Sequence, residues 1–181
     1  MAKPYEEETI NCLQKEDQTL TNSQEETLQR VHDHFQNLFT PRDRPSDEEP
    51  LNIPKVGQSK ALTKKFMRRM ICKAIKKLKI GKAPGPDGIP NEAIKVGAPI
   101  LLSHLTRAFN LIILTGQTPP DWTQGIMHLI YKGKGSMTDL NNYRGITVNN
   151  ALNRLFTSML NNRLTKLVEQ SGALGQIQNG C

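Results

Sequence analysis

Three short segments of this 181-residue chain place cations beside glycine or proline, a combination suited to contact with phosphate groups. Residues 79–92 read KIGKAPGPDGIPNE, residues 131–136 read YKGKGS, and residues 141–147 read NNYRGIT. A glycine turn can bring ammonium and backbone N–H groups up to phosphate oxygens. An arginine in a strand can hold a phosphate through paired hydrogen bonds. Spacing alone leaves plainer alternatives open: a tight turn between helices, an ordinary hairpin connection, and an arginine fixed on a protein group.

Residues that could carry catalysis are sparse. No loop of the form Gly-x-x-x-x-Gly-Lys-Ser/Thr occurs, and the glycine turn at 131–136 lacks the third glycine of a dinucleotide-binding loop. The four histidines have no neighbours at the spacing of a zinc site. A two-metal centre needs clustered carboxylates on rigid strands. The acids after residue 59 each stand alone in sequence: Asp87, Glu92, Asp121, Asp139 and Glu169. We therefore predict no catalytic residue and no metal ligand in this chain.

The net charge of +7 is divided unevenly along the chain. Residues 1–59 hold 6 Lys+Arg and 12 Asp+Glu, a net charge of −6, whereas residues 60–181 hold 18 and 5, a net charge of +13. A strongly basic domain attracts polyanions, because each neutralised phosphate releases condensed counterions. The same charge is also compatible with a basic protein that has no nucleic-acid partner.

Composition divides the chain at about residue 60. Residues 1–22 are polar, mixed in charge and without an apolar period, and are predicted to be a disordered acidic leader. Residues 23–59 are predicted to form one short amphipathic helix, which ends near Phe39, and a proline-rich linker. The remaining residues, 60–181, make up the main domain.

The sequence carries no signal that directs it out of the cell or into a membrane. The N-terminus lacks the basic start and apolar stretch of a signal peptide. The most apolar stretch, residues 98–115, is interrupted by His104, Arg107 and Asn110, and therefore predicts no membrane span. The three cysteines are an odd number without metal-like spacing, which fits a reducing compartment. We expect an intracellular protein, in the cytoplasm or the nucleus, with no membrane partner.

Apolar spacing in the main domain predicts three helices and one β-hairpin. A first helix begins with Thr63 as its N-cap, ends before the basic loop, and carries Lys and Arg on its solvent face. A second helix covers residues 98–115, and a third begins near residue 149 with leucines at helical intervals. Residues 126–131 and 143–148 have the composition of two strands. The predicted fold class is α+β, mainly α, with helices packed around a short β-hairpin.

The order of these segments resembles the front of the reverse transcriptase of non-LTR (LINE-like) retrotransposons. The resemblance rests on KIGKAPGPDGIPNE at 79–92, then Pro-x-x-Trp at 119–122, YKGKG at 131–135, NNYRGIT at 141–147, and a helix that reads LFTSMLNNRL at 155–164. It extends over about residues 60–181. Five such strings in the family's order are far more specific than any one of them.

The resemblance implies that this region is the fingers of a right-hand polymerase. In the family the hairpin lies over the incoming nucleotide, so Lys132, Lys134 and Arg144 would face the triphosphate. The basic loop and the helix before it would lie along the RNA template. The implied template-binding residues are Lys73, Lys76, Lys79, Lys82 and Asp87. No cofactor is expected in this chain, because the Mg²⁺ of the complete family enzyme is held by residues of the palm.

The chain also departs from the family's pattern. Ser136 stands where an acidic residue usually follows the glycine turn, and Asn153-Arg154 stands where the last helix usually has glycine-lysine. Neither the palm, with its metal-binding aspartates, nor the thumb is found in the sequence. The chain is therefore expected to be a truncated polymerase.

The expected function is that of a fragment of an RNA-directed DNA polymerase. It would bind RNA or an RNA–DNA hybrid without sequence preference, and it would not polymerise alone. Two alternatives stay open. The chain could be a helical module that binds a partner protein through faces the palm would otherwise cover, or a retrotransposon remnant without function.

Overall fold

The computed structural model of the chain describes residue 10, residues 12–40 and residues 60–171. The described elements, in chain order, are α1 (Gln24–Phe39), α2 (Lys60–Thr63), α3 (Arg68–Lys77), α4 (Asn91–Thr115), a 3-10 turn (Pro120–Thr123), β1 (Gly125–Tyr131), a 3-10 turn (Leu140–Asn142), β2 (Tyr143–Asn149) and α5 (Ala151–Ser171). Most of this is helical, with one two-stranded sheet. The predicted class, α+β and mainly α, is confirmed at this level. The predicted linker at 41–59 lies outside the described residues.

The described residues divide into two compact units, one within residues 1–52 and 128–146, the other within 53–127 and 147–181. The boundary predicted near residue 60 separates residues 1–59 from the rest of the chain. In the structure, residues 128–146 of the hairpin belong to the same unit as the N-terminal residues, because Leu13 shares a small apolar cluster with Leu140 and Tyr143.

The second unit is built around α3, α4 and α5. Apolar side chains at helical intervals meet in one cluster: Phe66, Ile71, Ile75, Ile94, Leu105, Phe109, Ile112, Ala151, Leu155, Phe156 and Met159. Phe109 lies at its centre, with its ring centroid 5.2 Å from that of Phe156 and 6.3 Å from that of Trp122. Burial of these side chains supplies the main stabilisation of the unit.

The start of α3 differs from the prediction. Thr63, the predicted N-cap, is the last residue of α2, and α3 begins after Met67 without a side-chain cap. The chain is instead fixed by Asn110 of α4, whose Oδ1 accepts from the Phe66 backbone N–H at 2.6 Å and whose Nδ2 donates to the Phe66 carbonyl at 3.0 Å. Phe66 is 2% exposed, so its buried backbone groups need these partners.

Helix α4 begins seven residues before its predicted start. Pro90, with φ −76°, occupies the N-cap position, and Ile94 in the added turns is buried against the core. Pro99 lies inside the helix, where it removes one backbone donor without ending the helix. Among the described helices, α4 is long and apolar enough to cross a membrane by length and composition. Four of its apolar side chains, at positions 94, 105, 109 and 112, are buried in the helical core, and core helices pass the same test.

The first unit contains part of the segment that was predicted to be disordered. Leu13 is 0% exposed and contacts Leu140 and Tyr143. Its N–H donates to Thr21 Oγ1 at 2.9 Å, and the N–H of Gln14 donates to the Thr138 carbonyl at 2.8 Å. Residues 12–22 therefore form a folded turn. A single apolar anchor in a polar stretch has no period, so composition alone predicts disorder there.

Strands β1 and β2 form an antiparallel hairpin whose bounds lie within one residue of the predicted strands. The N–H of Lys132 donates to the Asn142 carbonyl at 2.8 Å, which fixes the register next to the turn. Tyr131 then lies opposite Tyr143, with ring centroids 5.5 Å apart. Because side chains alternate along a strand, Arg144 is on the other face of the hairpin from these tyrosines.

Candidate nucleic-acid interface

Helix α3 presents a row of cations on the side opposite its buried residues. Ile71 and Ile75 are buried in the core, and the spacing of Arg69, Lys73 and Lys76 places these three on the opposite side, where all are exposed. None of the three forms an ion pair with a described residue. Lys76 also lies in the last turn, where a cation is favoured by the helix dipole.

The basic loop follows α3 and carries further cations. Lys79 and Lys82 are exposed, and neither forms an ion pair with a described residue. The loop turns at Gly81 and Gly88, which have φ of +67° and +66°. Such values are open to glycine and strained for other residues. The structure thus holds both loop lysines in solvent on a backbone of fixed shape.

The carboxylate of Asp87 serves the loop itself. Its Oδ1 accepts from the Ile89 N–H at 3.1 Å, and within the same turn the N–H of Gly88 donates to the Gly85 carbonyl at 2.9 Å. The role predicted for Asp87 is contact with the template. Its side chain is exposed, but the observed contact stabilises the turn.

Side chains of α4 and α5 hold this loop in place. The guanidinium of Arg154 donates to the Ala83 carbonyl at 3.2 Å and to Asn91 Oδ1 at 3.4 Å. Asn91 Nδ2 donates in turn to the Lys79 carbonyl at 2.8 Å. The Asp87 N–H donates to Asn150 Oδ1 at 3.3 Å.

Two further contacts, at Gly85 and Gly81, hold the loop in place. At Gly85, an added Cβ would be 2.6 Å from the Asn149 carbonyl carbon and from the Asn150 nitrogen. Gly85 therefore rests directly on the backbone that joins β2 to α5. The N–H of Gly81 donates to the carboxylate of Glu92, and this hydrogen bond holds the pKa of Glu92 below its ordinary value.

The glycine turn of the hairpin is closed by its own hydrogen bonds. Lys132 Nζ donates to the Asn141 carbonyl at 2.6 Å, and the Tyr131 hydroxyl donates to the Gly135 carbonyl at 2.5 Å. Gly133 and Gly135 have φ of +75° and +81°. One of the three N–H donors of Lys132 is therefore already used inside the turn.

Lys134 and Arg144 are the freer of the predicted phosphate-binding residues. Both are exposed, and the side chain of neither forms a hydrogen bond or ion pair with another residue that the structure describes. By the hairpin register Arg144 lies opposite Ile130 and two residues before Ile146, and both of these are also exposed. An arginine between apolar side chains on an open face can extend its guanidinium toward a ligand.

A histidine lies near the glycine turn in the first unit. Partial burial lowers the pKa of His34, and the nearby Arg30 and Lys132 lower it further, while Asp139 raises it. His34 is therefore favoured in its neutral form. Its ring packs edge-on against Phe35, with centroids 5.1 Å apart, so its role in the described structure is packing.

The predicted site residues fall into two groups. The second unit holds Lys73, Lys76, Lys79, Lys82 and Asp87, on α3 and the loop that follows it. The first unit holds Lys132, Lys134 and Arg144, at the turn and along β2. Sequence reasoning did not select Asn91, Asn150 and Arg154. The available signal was weak, since an asparagine before a helix indicates only an N-cap.

Comparison with known proteins finds similarity to polymerases of mobile elements. No protein-family model matches it. It is 24% identical over 176 residues to the probable RNA-directed DNA polymerase from transposon BS of Drosophila melanogaster, a match that covers 97% of this chain and 18% of the relative. It is also 28% identical over 106 residues to the RNA-directed DNA polymerase from mobile element jockey of the same organism, covering 59% and 12%. The chain is thus similar to part of the RNA-directed DNA polymerases of mobile elements.

The resemblance to non-LTR reverse transcriptases is thereby confirmed. A further match, 27% identical over 99 residues, is to the probable RNA-directed DNA polymerase from transposon X-element, also of Drosophila melanogaster, and covers 55% of this chain and 11% of the relative. The chain spans less than a fifth of the length of each of these polymerases. The contacts that the individual lysines and Arg144 make with nucleic acid stay predictions.

Proposed function

We propose that this chain is the fingers region of a reverse transcriptase from a mobile element, and that it binds nucleic-acid backbone without polymerising alone. The supporting observation is the cationic row on α3, continued by two lysines on a loop of fixed shape. These cations lie opposite the core and have no carboxylate partner among the described residues. They are therefore available for phosphate.

The chemistry of this surface favours binding without sequence preference. Ammonium and guanidinium groups bind phosphate oxygens and release counterions, and phosphate contacts carry no direct base information. The cationic row has no aromatic side chain on which a base could stack. The substrate class that fits is the backbone of RNA or of an RNA–DNA hybrid.

The hairpin is the proposed site for the phosphates of a nucleotide. Lys134 and Arg144 present free donors to solvent, and Lys132 keeps two of its three donors outside the turn. A triphosphate carries enough acceptor oxygens for all three side chains. This assignment follows from the family resemblance, and the exposure of the three residues is compatible with it.

We propose no metal-dependent step for this chain. In the complete family enzyme, Mg²⁺ stabilises the charge that develops during phosphoryl transfer. Within the described ranges no three His, Cys, Asp or Glu side chains lie together as a metal group. Asp87 and Glu92 each accept a hydrogen bond from a backbone N–H of the basic loop. These residues do not fit a metal pair.

Binding of a fluorescently labelled RNA oligonucleotide, measured by anisotropy over a range of salt concentrations, tests the backbone assignment. Replacement of Lys73 and Lys76 by Gln should weaken binding and reduce the slope of log K against log salt by about 1.4, or about 0.7 for each phosphate that is no longer neutralised. A matched control replaces Arg107 and Lys166, two exposed cations outside the site, by Gln. Binding that does not depend on salt, or equal losses in the two double variants, would contradict the proposal.

A protein-interaction module is the second candidate function. It is favoured by the outer side of α4, where Val96, Ile100 and Leu114 are 82%, 76% and 76% exposed. Exposed apolar groups of this kind mark a contact surface or a tendency to aggregate. Sedimentation velocity separates the two candidates. A clean monomer that binds RNA supports the first, and self-association without RNA binding supports the second.

A further inference from the structure

The basic loop, residues 79–90, cannot obtain its shape from apolar burial. Of its residues only Gly85 is buried, and a glycine has no side chain to contribute to a core. Its prolines restrict the chain locally but leave the position of the loop unspecified. The loop must therefore be placed by contacts from elsewhere, and in the described structure these come largely from the start of α5.

Arg154 connects two points of the loop. It is half-buried, and its guanidinium donates to the Ala83 carbonyl and to Asn91 Oδ1, while Asn91 donates to the Lys79 carbonyl. The planar fork of an arginine can reach two acceptors that lie apart, which the single ammonium of a lysine does far less well. Arg154 thereby restrains the backbone on both sides of Lys82.

Asn150 restrains the second half of the loop. It is 3% exposed, accepts from the Asp87 N–H, and donates to the Asp121 carbonyl at 3.1 Å. Its own carbonyl accepts from the Arg154 N–H at 3.0 Å, so the two residues belong to the same helical turn. The backbone of Asn150 also forms part of the surface on which Gly85 rests.

The charge of Arg154 has no ionic partner among the described residues. Its acceptors are the backbone carbonyl of Ala83 and the side-chain oxygen of Asn91, both neutral, so its donors link two neutral groups and do not form half of a salt bridge. We propose that Arg154 and Asn150 are positioning residues that hold the basic loop in its phosphate-binding shape. This inference rests on the proposed function, because the loop is the phosphate-binding element only if the chain binds nucleic acid.

Two variants distinguish the effect of positive charge from the effect of the hydrogen bonds that position the basic loop. Arg154→Lys keeps the charge and loses the fork, whereas Asn150→Ala keeps every charge and loses the bond to Asp87. Loss of preorganisation should raise the Kd for labelled RNA about five- to tenfold in both variants. Asn153→Ala is the matched control, since Asn153 donates to the Trp122 carbonyl at 2.9 Å and does not contact the loop. Its Kd should stay within about twofold of the unaltered chain.

Amide hydrogen exchange gives a second readout that does not need RNA. In Asn150→Ala the Asp87 N–H loses its acceptor, and exchange of the loop amides should become faster while the core of α4 and α5 stays protected. If Asn150→Ala does not fold, as judged by thermal melting, Arg154→Lys carries the test, because that change leaves Asn150 and its hydrogen bonds to Asp87 and Asp121 intact. An RNA affinity for Arg154→Lys equal to that of the unaltered chain would overturn the inference, since charge alone would then suffice.

The failure of the inference differs from that of the proposed function. If the unaltered chain does not bind RNA at any salt concentration, the proposed function fails and the inference fails with it. If the unaltered chain binds RNA and both variants bind RNA as tightly as the unaltered chain, only the inference fails.

Discussion

Replacement of Gly85 by Ala tests whether the basic loop rests on the backbone that joins β2 to α5. A methyl group at this position would lie 2.6 Å from the Asn149 carbonyl carbon and the Asn150 nitrogen, and 2.7 Å from the Asn149 carbonyl oxygen. These are backbone atoms, which cannot rotate aside as a side chain can. Gly85 is not among the glycines with positive φ. The expected effect therefore arises from the contact and not from the backbone conformation.

The expected change in the free energy of unfolding is the difference between the cost of the new contact and a smaller gain from the unfolded chain. Forcing extra volume into a packed contact costs about 1–3 kcal/mol. If the loop lifts to relieve the clash, the bond from Asp87 to Asn150 is broken at a cost of about 1 kcal/mol. The lower entropy of the unfolded chain with Ala returns about 0.4–1 kcal/mol. A net destabilisation of about 1–2 kcal/mol remains, which for a unit of this size lowers the Tm by roughly 5–15 °C.

Thermal and urea unfolding measure this effect, and Gly97→Ala provides a control of opposite sign. A Cβ at Gly97 would meet only the Leu101 side chain, whose Cδ1 lies 2.8 Å away and can rotate. Ala in place of Gly inside a helix stabilises by about 0.5–1 kcal/mol. Gly97→Ala should therefore raise the Tm while Gly85→Ala lowers it. A Gly85→Ala chain that melts at or above the Tm of the unaltered chain would refute close contact between the loop and the backbone that joins β2 to α5.

Three further outcomes are expected. Asn110→Ala leaves both buried backbone groups of Phe66 without partners, and urea unfolding should show a loss of about 1–3 kcal/mol. Leu155→Ala opens a cavity at a fully buried site and should cost about 2–5 kcal/mol in the same assay. The hydrogen bond from the Gly81 N–H to the Glu92 carboxylate stabilises the fold at pH values above 4.5, the ordinary pKa of Glu92. This stabilisation is lost as the pH falls through the lower pKa that Glu92 has in the folded chain. Melting curves of Glu92→Gln at acidic pH should therefore depend less on pH than those of the unaltered chain.

The elements with a strong local pattern were predictable from sequence. Ile71 and Ile75 recur at helical spacing between lysines, and both are buried as α3 requires. The hairpin strands were predicted to within one residue because the apolar runs are bounded by glycine and asparagine turns. In both cases the signal lies within about ten neighbouring residues, which is the range over which periodicity can be read.

Elements that depend on distant contacts were not predictable. The start of α3 is fixed by Asn110, which lies 44 positions later in the chain than its partner Phe66. The folded turn around Leu13 requires the hairpin residues Leu140 and Tyr143. Neither Asn110 nor Leu13 belongs to a pattern in its own segment, so local reading assigned no role to the first and disorder to the second.

The candidate site also has features that a local sequence pattern predicts and features that depend on distant contacts. The exposure of Lys73, Lys76, Lys79 and Lys82 follows from charge and helical spacing. Their role in template binding comes from the family resemblance and stays a prediction. The residues that hold the loop lie 63 and 71 positions from their partners, as in the bonds from Arg154 to Asn91 and Ala83. Side-chain to backbone bonds of this range have no sequence signature, because any carbonyl can accept them.

The departure of this chain from the family at Asn153-Arg154 has a physical consequence. The glycine-lysine pair expected there offers no side chain for the bond that Asn153 makes to the Trp122 carbonyl. Its lysine could reach one of the two acceptors that Arg154 grips, the Ala83 carbonyl and Asn91 Oδ1. In this chain the same two positions therefore tie α5 to both the basic loop and the turn before β1. A loop held by side chains does not need an apolar core beneath it, so its lysines can stay fully in solvent while its backbone keeps one shape.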